Sequence, residues 1–163
     1  METKQPVAFK LQLLIPRWAE EATLSVNGAQ GTVVSRGEYH TLSRTFQTGD
    51  EVVLTLFANP RLETGFRGSA SVMVGNRLMA LSLPESDMAW QYALNPALPM
   101  TASLENGQAS VLVAASEAEQ WQERGGFILP PPQNVTAGPA YQLTLMPYAD
   151  CDGRIAAFPC VRE

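Results

Sequence analysis

Residues 9–57 decide the fold class: FKLQLLIPRWAEEATLSVNG at 9–28, then GEYHTLSRTFQTGDEVVLTLF at 37–57. Phe9, Leu11 and Leu13 alternate with Lys10 and Gln12. That is the two-residue period of a strand with one buried and one wet face. Pro16 ends the strand, having no N–H to give to a ladder. Trp18 follows at once, an aromatic placed to cap the core beneath the strand end. Leu24 and Val26 open a second alternation, closed by Asn27-Gly28, a strong hairpin-turn pair. Tyr39, Leu42 and Phe46 mark a third strand. After a turn at Gly49-Asp50, Val52, Leu54 and Leu56 form a fourth, with Val53, Thr55 and Phe57 on its other face. Four short strands in about fifty residues is the rhythm of a β-sandwich.

Outward from this stretch the same material recurs. Residues 1–8 are polar and expected to be loose at the start. Residues 31–37 read as a loop, with a short strand at Thr32-Val33-Val34. ANPRLETGFRG at 58–68 breaks the alternation with Pro60 and its glycines. It is the expected junction between two β units, residues 1–60 and 61–163. Val72 and Val74 lead through Gly75-Asn76 into a returning strand at 78–83, apolar at nearly every position, as for a strand covered on both faces. A short aromatic strand is expected at 90–94, and a hairpin at 102–114 turning on Asn106-Gly107. Ser116 and Glu119 form a capping box, and Gly125-Gly126 a stop, so one short helix is expected over 116–124, anchored by Trp121. Pro130-Pro131-Pro132 predicts an extended polyproline segment within 127–138. Tyr141, Leu143 and Leu145 alternate as a strand, and residues 150–153 turn into a closing strand at 154–158.

Composition limits the function classes. Hydrophobic residues are 45% of the 163, enough for a real core. Net charge is −5, and the 11 Lys and Arg never cluster. Nucleic-acid binding needs a basic stripe to displace counterions, so it is set aside. The same argument disfavours anionic membranes. No apolar run approaches the ~20 residues of a membrane span. METKQPVAFK carries no hydrophobic secretion signal, so a cytoplasmic location is expected. Asn134-Val135-Thr136 is a glycosylation sequon by pattern only. Cys151 and Cys160 favour free thiols in such a compartment, with a disulfide closing this end as the alternative. A zinc site would need further ligands, and His40, the one histidine, is far away in sequence. No metal and no cofactor are expected.

No group of ionisable residues reads as a reaction centre. His40 has no Ser, Cys or Asp in triad-like spacing and reads as a surface strand histidine. Glu117, Glu119 and Glu123 could pair as glycosidase carboxylates, but a solvated face of the short polar helix is the favoured reading. Cys151 shows no base or helix N-terminus to activate it. The aromatics offer a different chemistry. Sugars stack their C–H faces on exposed rings within mostly apolar clefts. Trp121, Phe66, Trp90 and Tyr92 are the candidate carbohydrate-binding residues. Trp18 and Trp90 also fit core or inter-unit packing. An exposed apolar patch would serve equally to dock another domain or a second copy.

Three pieces resemble a known family: residues 9–28, YHTLSRTFQTGDEVVLTL at 39–56, and YQLTLMPYADCDGRIAAFP at 141–159. Together they are similar to the β-sandwich region C-terminal to the catalytic barrel in glycoside hydrolase family 127, the β-L-arabinofuranosidase-like proteins. Ile15-Pro16-Arg17-Trp18-Ala19, Val26-Asn27-Gly28, Gly49-Asp50, Trp90-Gln91-Tyr92-Ala93-Leu94, Met146-Pro147-Tyr148 and Arg154-Ile155 to Phe158-Pro159 keep the family's order. The family's helical barrel, its acidic residue and its zinc-binding cysteine cluster have no counterpart here. The resemblance therefore implies a non-catalytic accessory module, not an enzyme. Its partner would be a glycoside hydrolase catalytic domain or a second copy in a homo-oligomer, with carbohydrate binding as the alternative role. It also implies that strands of the family's middle sandwich should precede Phe9, leaving the first unit incomplete with an open sheet edge. The expected fold is all-β: antiparallel, jelly-roll-like sandwiches with one short helix.

Overall fold

A computed structural model describes residues 2–65, 68–83, 92–105, 108–117, 122–125, 127–129, 135 and 138–161. The fold is the expected antiparallel β-sandwich architecture. The chain divides into two compact units, residues 1–59 and 60–163.

The first unit holds β1 (Val7–Leu14), β2 (Glu21–Val26), β3 (Thr32–Val33), β4 (Tyr39–Phe46) and β5 (Val52–Phe57). β1 and β4 form a two-stranded antiparallel ribbon, in register from Val7 opposite Phe46 to Leu14 opposite Tyr39. β3, β2 and β5 form a second sheet in that order. Residues directly opposite share a face. The ribbon therefore sets Val7, Phe9, Leu11 and Leu13 beside Phe46, Arg44, Leu42 and His40. From the other sheet Ala22, Leu24, Val52, Leu54 and Leu56 meet Leu13, Ile15 and Val34 in one small core. Phe46 is fully buried and stacks on Phe9 with ring centroids 4.4 Å apart.

The second unit carries β6 (Pro60–Thr64), β7 (Ala70–Val74), β8 (Arg77–Leu83), β9 (Tyr92–Leu94), β10 (Thr101–Glu105), β11 (Gln108–Glu117), β12 (Gln122–Arg124), β13 (Phe127–Leu129), β14 (Ala140–Pro147) and β15 (Gly153–Ile155). Its main sheet runs β10-β11-β14-β8-β7-β6, with β15 added to β8 and β9 to β11. β12 and β13 pair separately. The core centres on Val72, Met79, Leu94, Val111, Leu145 and Phe158. Phe158 is tied to Ala70 by two backbone bonds, of 2.7 and 2.9 Å.

Two expectations need correcting. The junction at 58–68 is largely a strand: β6 pairs with β7 from Pro60–Val74 to Thr64–Ala70, with Pro60 at the first position, where a missing N–H is tolerated. The helix over 116–124 is displaced by pairing. Ser116 and Glu117 complete β11 against β9 and β14, and Gln122–Arg124 is a strand. Ladder partners from distant sequence override a local capping signal. The short helical element lies instead at Tyr148–Asp150, a single 3-10 turn. Phe127–Leu129 form a strand, and Pro130, Pro131 and Pro132, on which a polyproline segment was expected, lie outside the described residues.

Candidate functional site

The first unit contains an open cleft of about 690 Å³ lined by Leu11 and Leu13 of β1, Gly49, Asp50 and Glu51 of the turn, and Val52 and Leu54 of β5. Its walls are the inward faces of two different sheets, so the apolar lining follows from strand alternation. Asp50 sits at one end and is buried, with 4% of its surface accessible.

Two turns meet at this carboxylate. Asn27 (φ 53°) and Gly28 (φ 70°) both take left-handed backbone, and the Ala29 N–H closes the turn on the Val26 carbonyl at 3.0 Å. Gly has no Cβ to clash there, and Asn is among the side chains that tolerate it best. The Asn27 side-chain amide donates to Asp50 Oδ1 at 2.8 Å, and its carbonyl accepts the Glu51 N–H at 2.8 Å. Asp50 Oδ2 accepts the Gln47 N–H at 2.9 Å and lies 3.6 Å from the Arg44 guanidinium. Arg44 also lies over the Phe46 ring, 5.4 Å from its centroid. The Asn27 amide, then the Gln47 N–H, hold the Asp50 carboxyl below the usual carboxylate range; burial opposes them, and Arg44 adds a smaller lowering. A carboxylate held ionised by these two hydrogen bonds and a nearby guanidinium is suited to fixing turns. A general acid needs the opposite shift.

Of the residues singled out in the sequence, Trp121, Phe66, Trp90 and Glu119 lie outside the described residues. Tyr92 is described: it is half-buried on β9, and its ring meets that of Tyr141 edge-on, centroids 5.4 Å apart. His40 is half-buried on the inward face of the ribbon, opposite Leu13. Glu117 and Glu123 fall on separate strands, β11 and β12. Neither Cys151 nor Cys160 is joined in a disulfide among the described residues. The Cys151 sulfur is buried against the carbonyls of Pro147, Ala80 and Met146, at 3.5, 3.7 and 4.0 Å. Among the described residues no three His, Cys, Asp or Glu side chains are grouped as metal ligands. No helix among them is long and apolar enough to cross a membrane. A second hollow, about 480 Å³, lies in the other unit beside Arg77, Leu78 and residues 147–150. It includes none of the sequence candidates. The Asn27–Asp50–Arg44 cluster was not legible as a cluster, because each turn pair reads only as a local turn.

Comparison with known proteins bears out the resemblance to the β-sandwich region of family 127. Residues 1–57 match the family model described as beta-L-arabinofuranosidase, GH127 middle domain. Among solved structures the fold is similar to a GH127 β-L-arabinofuranosidase from Geobacillus stearothermophilus T6, with a TM-score of 0.62, 17% identity, and 99% of this chain covering 28% of that one. It is similar also to another GH127 β-arabinofuranosidase, with a TM-score of 0.63, 17% identity, and 97% of this chain covering 28% of that one. A third, described as a glycoside hydrolase, gives 0.62 at 19% identity, with 95% of this chain covering 28% of it. At that identity the likeness establishes the fold. The chain spans 28% of the length of these structures. No curated protein matches it.

Proposed function

We propose that this chain is a non-catalytic β-sandwich module of a glycoside hydrolase-like protein, whose work is packing, either against a catalytic domain or against another copy of itself. The observation that carries the reading is the state of Asp50. It is the buried carboxylate of the cleft, and its oxygens are engaged by Asn27, Gln47 and Arg44. The match of residues 1–57 to a middle domain supports the same reading. The test is to incubate the purified chain with aryl arabinofuranosides and zinc. Hydrolysis no faster than in buffer is expected. Turnover that survives repurification and vanishes with one point mutation would overturn the proposal.

A second reading is carbohydrate binding, favoured by the Tyr92–Tyr141 ring pair, whose Tyr141 member is 40% exposed. Paired rings at a sheet end could stack on a sugar face. Titration with arabinan-derived oligosaccharides would then shift the Tyr92 and Tyr141 ring resonances. Silence across a broad glycan panel would exclude it.

A further inference from the structure

The Asn27-Gly28 pair carries a chemistry of its own besides turning the chain. An asparagine followed by glycine is prone to close on itself, because glycine has no side chain to crowd its nitrogen. The Gly28 nitrogen gives up its proton to solvent and attacks Asn27 Cγ. The N–Cγ bond forms, the Cγ–Nδ2 bond breaks, and the side-chain nitrogen leaves as ammonia. Water then opens the five-membered succinimide at either ring carbonyl. Opening at Cγ leaves aspartate. Opening at the main-chain carbonyl leaves isoaspartate, with the backbone rerouted through the side chain. Water replaces ammonia, and nothing is oxidised or reduced.

The folded turn opposes ring closure twice. Asn27 and Gly28 are both left-handed, and the Ala29 N–H closes on the Val26 carbonyl, so residues 26–29 form a type I′ turn. Such a turn keeps a small positive ψ at its first central residue. The ring needs the Gly28 nitrogen swung round to eclipse Asn27 Cβ. The side chain is also tethered at both ends of its amide. Nδ2 donates to Asp50 Oδ1 at 2.8 Å, and Oδ1 accepts the Glu51 N–H at 2.8 Å. Both bonds must part before Cγ can reach the Gly28 nitrogen. Asn27 and Gly28 are exposed, so water is at hand when they do.

The product does not fit the site it leaves. Aspartate at 27 sets an oxygen where Nδ2 stood, facing Asp50 Oδ1 without a proton between them. Asp50 is 4% accessible, and two carboxylates at that spacing repel. Isoaspartate lengthens the main chain by one carbon where β2 enters the turn, beside the Val26–Val52 pair.

We propose that Asn27-Gly28 is a self-modification site gated by Asp50. It is held shut while the first unit is folded and is converted once that unit opens, after which the unit cannot close as before. An opening of the first unit is thereby recorded as a covalent change. The proposal goes beyond the packing role and does not depend on it.

The test ages the whole 163-residue chain at mildly alkaline pH, in buffer and in guanidinium, with peptide mapping by mass spectrometry. Asn106-Gly107, the other Asn-Gly pair of the sequence, verifies that the unfolding conditions convert such pairs. Conversion at Asn27 should be at least about tenfold slower in the folded chain, since it waits on local opening. Equal rates would overturn the gate. Chains converted at Asn27 while unfolded should be missing from the fraction that regains the parent's elution volume when guanidinium is removed. Their even presence in that fraction would overturn the proposal. Asn27→Asp should lower the folded-to-unfolded ratio by about tenfold or more. Adding Asp50→Asn should raise it again, since the new amide can donate to the carboxylate at 27 while its carbonyl still accepts the Gln47 N–H. Where Asn27→Asp does not fold, folding of the double variant is the readout. Asn27→Asp as stable as the parent, or no rescue by Asp50→Asn, would remove Asp50 from the gate and overturn the proposal.

Discussion

Asn27 and Asp50 bind each other across two turns that lie 23 residues apart in sequence. The amide donates to the carboxylate at 2.8 Å, and the same side chain accepts the Glu51 N–H. The β2 end and the β5 start are thereby fixed relative to each other. Val26 and Val52, directly opposite at that end of the ladder, depend on it.

Asn27→Ala therefore removes a donor and an acceptor together, and asks a Cβ-bearing residue with no compensating amide to hold φ 53°. A loss of about 1–3 kcal/mol from the first unit is expected. Urea unfolding with an unchanged m-value would establish it. A change below about 0.5 kcal/mol would mean the contact is incidental.

The lowered pKa of Asp50 has a defined pH consequence. A carboxyl whose folded pKa lies below its unfolded value of 3.8 stabilises the fold fully above that value. This contribution is lost as pH falls through the folded pKa. Acid titration of stability should thus steepen below the ordinary aspartate range in the parent chain. Asp50→Asn should be less stable at neutral pH and show a shallower acid slope. Equal slopes would remove Asp50 from the pH response.

Phe46 is completely enclosed, between the Phe9 ring and the Arg44 guanidinium. Phe46→Ala should cost about 3–5 kcal/mol, as for other large core truncations. Thermal melts followed by near-ultraviolet circular dichroism should show it.

The thiols should separate by rate. Burial raises the Cys160 pKa, so labelling by an aromatic disulfide reagent should be slow at neutral pH and accelerate above pH 9. Cys151, 2% exposed, should label only after unfolding. Cys160→Ser should abolish the native-state phase. Persistence of that phase would show that the Cys151 pocket opens readily.

Where hydrophobic alternation was clean, the sequence was a sound guide. Phe9, Leu11 and Leu13 lie on β1, Leu24 and Val26 on β2, and Tyr141, Leu143 and Leu145 on β14. Asn27-Gly28 turns as its composition implied. Local signals failed where long-range pairing decides. Ser116 with Glu119 reads as a helix start, yet Ser116 is held opposite Ala140 and Ala93. Pro60 reads as a breaker, yet begins a strand. The cleft was invisible for a related reason. Leu13 and Leu54 are each ordinary core positions, and only the meeting of two sheets places them on its walls. The inward placement of His40 was hidden by the uneven spacing of Tyr39, Leu42 and Phe46.

The position of β8 in the larger sheet bears on how the polypeptide emerges during synthesis. Leu81–Leu83 pair with Gly153–Ile155, and Met79 and Ala80 with Pro147 and Met146. β7 pairs with β8 at once through a tight turn, but the other edge of β8 waits until these late strands are translated, since chain closure precedes any reward from distant contacts. The smaller unit meets no such delay, its strands finding one another within the first 59 residues. It can assemble while its successor is still a nascent thread.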